Sequence, residues 1–240
     1  MHEQNGYLTL EHLSDIEFYY SIPSLINDDR IILEGEEFHH SVNVMRNSVG
    51  EIIFITDGLG QLYKSKIVEI SKKKLIAEII ETIHQQSKAE NIFFCLPILK
   101  NTDRIKFAIE KCVELGIINF ILFTSSRTIP QKIKLDKFQK TALAAMKQSL
   151  RTFLPEIRSA TFNDITKIEA NKIIFDQHSK NLFDGKSEST KSTYLLFGPE
   201  GGFNESELNS ISEENRYCLS SHRLRSETAI LKCASLLKSI

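Results

Sequence analysis

Two different spacings of apolar residues divide the chain. In the first third, short runs rich in Ile, Val, Phe and Tyr recur at 30–33, 51–56, 61–68 and 75–81. Turn formers separate them: Asp57-Gly58 with Gly60, then the charged segment 71–74. β-branched and aromatic runs bounded in this way predict strands, and four of them so closely spaced predict a small barrel. Between the first two, residues 36–46 place Phe38, Val42 and Met45 at i, i+4 and i+7, which predicts a short helix with one apolar face, set to plug a barrel end. The polar stretch HQQSKAEN, 84–91, predicts a linker.

Beyond it the period changes. An apolar run at 92–99 predicts a strand, and 102–115 a helix with Ile105, Ile109, Cys112 and Val113 on one face and Gly116 as its stop. A strand at 117–124 and a helix at 136–151 follow, the latter striped by Phe138, Ala142, Ala145, Met146 and Ser149. Further strands are predicted at 172–176, 193–197 and 217–220, and helices at 204–214 and 226–240. Apolar runs without alternation, interleaved with helices, predict an α/β fold with a mostly parallel sheet covered on both faces. The domain reading is therefore residues 1–85, with 1–17 as an extension, and residues 92–240.

Composition narrows the class. With 240 residues and 41% apolar content the chain can bury substantial cores. No run approaches the roughly 18 apolar residues of a membrane span, and the amino terminus lacks a basic-then-apolar signal pattern, so a cytoplasmic protein is expected. Cys95, Cys112, Cys218 and Cys233 lie far apart in apolar runs, as reduced core residues do, and the seven scattered histidines form no metal motif, so no metal is expected. The net charge of −1 conceals an asymmetry. Residues 1–90 carry 8 Lys and Arg against 15 Asp and Glu, whereas 100–158 carry 12 against 5. That segment is either a solvated lysine-rich surface or a field that gathers a polyanion.

Two strand-to-helix junctions carry candidate chemistry. In LLFGPEGGFNESEL, 195–208, a buried strand runs into three glycines within five residues, and Asn204 with Glu207 three positions on forms a capping box. Bare glycines let backbone N–H and C=O groups approach a flat ligand, and ligands of open α/β sheets bind beyond the carboxyl ends of the strands. The loop is neither a phosphate loop nor GxGxxG. In CLSSHRLRSETAI, 218–230, Ser226 opens the last helix beside Glu227, with Arg223 and Arg225 alongside. No GxSxG elbow accompanies Ser220, Ser221 and His222, so a hydrolase triad has no nucleophile.

Taken together, LLFGPEGGF and CLSSHRLRSETA resemble the paired signature of the RsmE-type ribosomal RNA methyltransferases of the SPOUT superfamily. LEGEEFHHSVNVMRNSVGEIIFITDGLG, KNTDRIKFAIEKCVELGIINFILFTSSRT and ALAAMKQSLRTFLPEI resemble further blocks of that family, in the same order. The resemblance implies a PUA-like β-barrel for RNA docking, then an α/β SPOUT domain with a carboxyl-terminal trefoil knot. It also implies a homodimer, S-adenosyl-L-methionine as methyl donor, and methylation of N3 of a uridine in 16S ribosomal RNA of the small ribosomal subunit. Carried over residue by residue, Leu196, Phe197, Gly198, Pro199, Glu200, Gly201 and Gly202 with Leu219, Ser220, Ser221, Leu224, Ser226 and Thr228 surround the cofactor. Arg225 stabilises the uracil oxygens and Glu227 accepts or organises the proton, while Arg46, Lys100, Arg104 and Arg151 meet RNA phosphates. Other SPOUT chemistry, on a ribose 2′-oxygen or another base atom, and a non-catalytic RNA-binding assembly factor are the alternatives. The sequence departs from the family pattern at Ser220, where a glycine that adopts positive φ is expected, at Ser221 and His222, and at Lys147-Gln148, where the pattern has Glu-Gln.

Overall fold

A computed structural model describes residues 16–128, 134–186 and 191–237. Residues 1–15 of the expected amino-terminal extension and 238–240 of the last expected helix lie outside these residues. The chain separates into two compact units, one of residues up to Gln86 together with Met146–Leu154, the other of Ser87–Ala145 with the residues from Pro155 onward.

The first unit is a five-stranded sheet in the order β1-β3-β4-β5-β2, built from β1 (Phe18–Tyr20), β2 (Arg30–Glu34), β3 (Ile52–Thr56), β4 (Gln61–Ile70) and β5 (Lys74–His84). β1 pairs with β3 in parallel and the remaining pairs are antiparallel. Two register shifts between β4 and β5, at Lys64/Ser65 and Ile67/Glu69, bend the ladder, as bulges do. The edges β1 and β2 are tied by side chains: Ser21 Oγ donates to the Ile32 carbonyl at 2.9 Å, and the Tyr20 N–H donates to Glu37 at 3.1 Å. The result is a half-barrel around Tyr19, Ile31, Leu33, Ile53, Ile55, Ile67, Leu75 and Ala77.

The plug helix differs from its expected form. α1 (Gly35–His39) continues as a π-helical turn, His40–Val44. Phe38 and Val42 pack on the core, but the wider turn rotates Met45 away, leaving it 45% exposed. Arg46, at φ 61°, ends the turn. Residues 146–154, which the sequence places inside the second part, pack with the first unit. Leu59 bridges Phe153, the Leu154 N–H donates to the Gly58 carbonyl at 2.8 Å, and Lys147 pairs with Glu37 at 2.6 Å.

The second unit is a six-stranded, wholly parallel sheet in the order β11-β9-β10-β6-β7-β8. Its strands are β6 (Ile92–Pro97), β7 (Asn119–Thr124), β8 (Glu156–Thr161), β9 (Asn171–Phe175), β10 (Thr193–Phe197) and β11 (Arg216–Tyr217). The helices are α2 (Thr102–Glu114), α3 (Leu135–Gln148), α4 (Phe162–Lys167), α5 (Glu205–Asn209) and α6 (Ser226–Leu236). All five residues of β10 are buried, as its unbroken apolar run requires. One face of the sheet holds an aromatic cluster of Phe123, Phe162, Tyr194 and Phe203; α2 and α6 pack against each other.

β8 and α4 escape the apolar pattern because β8 is an edge strand with Ile157 as its one buried residue. The helix expected to run to Arg151 stops at Gln148, because Leu150 adopts φ 57°. The helix expected over 204–214 shrinks to α5 and a 3-10 turn at Glu213–Asn215. The linker stretch is not free chain: Ala89 is fully buried and its carbonyl accepts from Asn119 and from the Ile92 N–H. Cys95, Cys112 and Cys233 are buried and Cys218 is half-buried, all unbridged. No described helix is long and apolar enough to cross a membrane.

Candidate functional site

The carboxyl ends of β6, β7, β9 and β10 all deliver their following segments to one cleft of about 940 Å³ in the second unit. This is the side of a parallel sheet on which ligands bind, and the volume suits a cofactor-sized molecule.

β10 delivers the glycine loop. Gly202 adopts φ +67°, a conformation that favours glycine, and its N–H closes a turn onto the Pro199 carbonyl at 2.8 Å. Gly198 is constrained differently: a Cβ there would sit 3.3 Å from the Phe203 ring. The loop ends in the predicted capping box, in which Asn204 Oδ1 accepts from the Glu207 N–H and the Glu207 carboxylate from the Asn204 N–H. Glu207 is buried because its second oxygen takes the Ser126 N–H at 2.8 Å, and Asn204 Nδ2 donates to Ser126 Oγ. The segment after β7 is thereby fixed to the glycine loop.

The second junction meets the first directly. Ser226 Oγ donates to the Gly198 carbonyl at 3.0 Å, joining the start of α6 to the end of β10. Ser220 does not adopt positive φ, so the missing glycine costs no backbone strain; its Oγ accepts the His222 N–H at 3.2 Å and closes the turn. Arg225 precedes α6 in extended conformation and reaches the cleft wall.

Of the residues assigned to the cofactor by resemblance, Phe197, Gly198, Pro199, Glu200, Gly201, Gly202, Leu219, Ser220, Leu224 and Ser226 line the cleft. Three do not. The Leu196 side chain is fully buried in the aromatic cluster because β10 residues alternate faces, and Ser221 and Thr228 are exposed away from the wall. Arg104, assigned to phosphates, lies on the cleft wall with its Nε 3.7 Å from Glu227 Oε1. Glu227 sits behind it with a side chain 13% exposed, and its Oε2 is buried without a hydrogen-bond partner among the described residues. Lys100 is exposed just before α2, whereas Arg46 and Arg151 are exposed residues of the first unit.

Sequence reasoning missed two parts of the wall. Asp176, Gln177 and His178, which follow β9, line the cleft, with Gln177 Nε2 3.0 Å from His178 Nε2. Arg127 lines it as well, and its Nη1 donates to the Gly201 carbonyl at 2.6 Å. The position of both after strand ends was the available signal. Four arginines, Arg104, Arg127, Arg223 and Arg225, thus face one cleft. Among the described residues no group of three His, Cys, Asp or Glu side chains could hold a metal.

Comparison with known proteins agrees with this layout. A family model described as an RNA methyltransferase domain matches residues 64–238, and one described as an RNA methyltransferase PUA domain matches residues 33–80. Ribosomal RNA small subunit methyltransferase E of Bacillus subtilis is 28% identical over 223 residues, covering 85% of this chain and 87% of its own. The protein of that name from Mesomycoplasma hyopneumoniae is 31% identical over 191 residues, covering 74% and 82%. The structure of ribosomal RNA small subunit methyltransferase E from Neisseria gonorrhoeae bound to S-adenosyl methionine superposes with a TM-score of 0.80 at 24% identity, covering 92% of this chain and 95% of its own. The chain belongs to the RNA methyltransferase family, as an RsmE-type member with a PUA domain and a methyltransferase domain.

Proposed function

We propose that the protein transfers the methyl group of S-adenosylmethionine to N3 of a uridine in 16S RNA of the small ribosomal subunit. The observation that carries this reading is the Ser226 to Gly198 hydrogen bond, which makes one wall of two loops that are far apart in sequence. The names of the relatives support the substrate, and the compound bound to the Neisseria gonorrhoeae protein supports the cofactor. The residues present fit that cofactor. The loop at Gly198 is kept bare because a Cβ would press on Phe203, apolar Leu219 and Leu224 offer surface to a base, and a buried Glu227 oxygen awaits a donor.

When bound, S-adenosylmethionine supplies an electrophilic sulfonium methyl group. N3 of uracil is a weak acid that attacks only after losing its proton, and the charge then spreads over O2 and O4. Arg225 donates to those oxygens and lowers the barrier, as preorganised donors do where charge develops. Glu227 accepts or organises the proton, with Arg104 holding its outer oxygen. The backbone groups of 198–202 and the side chains of Leu219, Ser220, Leu224 and Ser226 would hold the cofactor with its methyl group facing the base, which would replace a bimolecular encounter by a positioned one. Lys100, Arg46 and Arg151 contact phosphates and position the RNA without reading it.

The same reading includes a homodimer, a cytoplasmic location and a carboxyl-terminal trefoil knot. The bridge between Leu182 and Cys218 and the tie from Ser226 to Gly198 support the knot, since they hold the segment after β11 against those that follow β9 and β10. Purified protein given labelled S-adenosylmethionine and small ribosomal subunits lacking the modification is expected to label their RNA. Nuclease digestion and mass spectrometry are expected to find 3-methyluridine. A 2′-O-methylated product would replace the assignment with another SPOUT activity, and failure to label any form of the RNA would remove it.

A further inference from the structure

We infer that Arg127 is an RNA-phosphate anchor that also braces the cofactor loop, so that one guanidinium joins substrate binding to the geometry of the glycine turn. This rests on the proposed RNA methylation and adds a residue to it. Arg127 stands in the segment after β7, and three features of the site converge on it. Its Nη1 donates to the Gly201 carbonyl at 2.6 Å. Its aliphatic stem lies over Gly201, where a Cβ would stand 3.4 Å from Arg127 Cδ and 3.7 Å from its Cβ. Its own backbone is held on both sides: the Ser125 N–H donates to Thr128 Oγ1 at 2.9 Å, and Ser126 is fastened to the capping box of Glu207 and Asn204.

A guanidinium carries five N–H donors in a flat fork, and the Gly201 carbonyl takes one of them. The remaining donors belong to an exposed side chain on the wall of the cleft, and no described carboxylate forms an ion pair with them. Arg104, on the same wall, differs in having Glu227 beside it. A side chain already immobilised by one strong bond loses less entropy on taking a second ligand, and an oxyanion that presents two oxygens side by side suits a fork presented edge-on. An RNA phosphate fits these conditions: it is anionic, approaches from solvent, and lies within one nucleotide of any base that enters the cleft.

The test separates bracing from anchoring by two readouts on two substitutions. Arg127→Gln removes the charge and, with an amide two bonds short of the guanidinium nitrogen, the donor to the Gly201 carbonyl; Arg127→Lys keeps the charge and an N–H donor close to that reach. Binding of extracted small-subunit RNA is measured by filter retention between 50 and 200 mM KCl, and cofactor binding by calorimetry without RNA. For Arg127→Gln, RNA affinity is expected to fall about tenfold, on the scale of one lost hydrogen bond to a charged group, with the salt slope smaller by about 0.7 to 0.9. Its S-adenosylmethionine affinity is expected to fall as well, because the brace on the Gly201 carbonyl is lost. Arg127→Lys, which keeps the charge and a donor, is expected to keep the parent's salt slope and most of its cofactor affinity; unchanged cofactor affinity in Arg127→Gln would overturn the brace. An unchanged slope in Arg127→Gln, with methylation by the parent protein intact, would overturn the anchor while leaving the proposed reaction standing. Absence of methylation by the parent protein would instead remove the reaction itself.

Discussion

Alanine substitution at Gly198 and at Gly201 should act in opposite directions, although the two positions lie three residues apart in one loop. Neither adopts positive φ, so alanine strains neither backbone and, at both, restricts the unfolded chain, a gain of about 0.4 to 1 kcal/mol. The difference lies in what the new methyl meets. At Gly198 it would stand 3.3 Å from Phe203 Cε2 and 3.4 Å from Phe203 Cδ2 and the Gly202 Cα, closer than carbon atoms prefer. Phe203 is 6% exposed, with Phe162 at 5.8 Å and Phe123 stacked at 6.4 Å between centroids, so its ring cannot retreat without moving both neighbours. Overpacking of this kind costs about 1 to 3 kcal/mol, more than the entropic gain. At Gly201 the methyl would meet only the stem of Arg127 at 3.4 Å, a flexible side chain that can give. Urea unfolding is therefore expected to place Gly198→Ala below the parent and Gly201→Ala level with it or above, a separation of about 1 to 3 kcal/mol between the two variants. Calorimetry is expected to find S-adenosylmethionine binding weakened by Gly198→Ala alone. Equal unfolding midpoints for the two variants would refute the placement of Phe203 under the loop.

In the first unit, Lys147 and Glu37, with side chains 21% and 15% exposed, form a mostly buried pair; Glu37→Ala should destabilise by about 1 to 3 kcal/mol in urea, less than for a fully buried pair, and Glu37→Gln with Lys147→Met should recover part of the loss. Asp164 accepts from the Thr161 hydroxyl and N–H, which holds its carboxyl below the ordinary 3.8. Its contribution to stability is thus complete above about pH 4 and lost as the pH falls through the folded-state value, so Asp164→Asn should flatten the pH dependence of the unfolding midpoint below pH 4. Burial pushes the thiols of Cys95, Cys112 and Cys233 up, and Cys218 is half-buried, so an aromatic disulfide reagent at pH 8 should titrate Cys218 first in the native protein and all four thiols in urea.

Elements with an unambiguous burial pattern were legible in the sequence. β10 is buried on both faces and reads as five apolar or small residues in a row; the capping box after it reads from Asn204 and Glu207 alone. β8 was not legible because an edge strand with one buried side chain leaves no apolar run. The π turn after α1 was not legible either, since Phe38, Val42 and Met45 fit an α-helical stripe in which the widened turn has no signature. Within the site, the glycine loop and the start of α6 were identifiable because glycines and capping residues have few other uses. Arg127, Asp176 and His178 were not, because polar residues at strand ends resemble any solvated loop until the parallel register brings those ends to one edge.

The departures from the family pattern are informative about what these positions require. Where the pattern has Glu, Lys147 reaches Glu37, and Glu37 uses its other oxygen to accept the Tyr20 N–H, so the charge is neutralised and β1 is tied to α1 by the same carboxylate. The requirement at this position is a partner for a mostly buried charge, which either sign can meet if the opposing residue complements it. Ser220 makes the same point for the backbone. Positive φ, the reason for which glycine is expected at 220, is absent here, and the serine hydroxyl accepts the His222 N–H, a bond that glycine could not supply. Glycine at 220 would leave that N–H to water and widen the conformations open to the loop. The serine therefore pre-forms the turn that carries Leu219 and Leu224 to the cleft wall, and the departure is consistent with a working site.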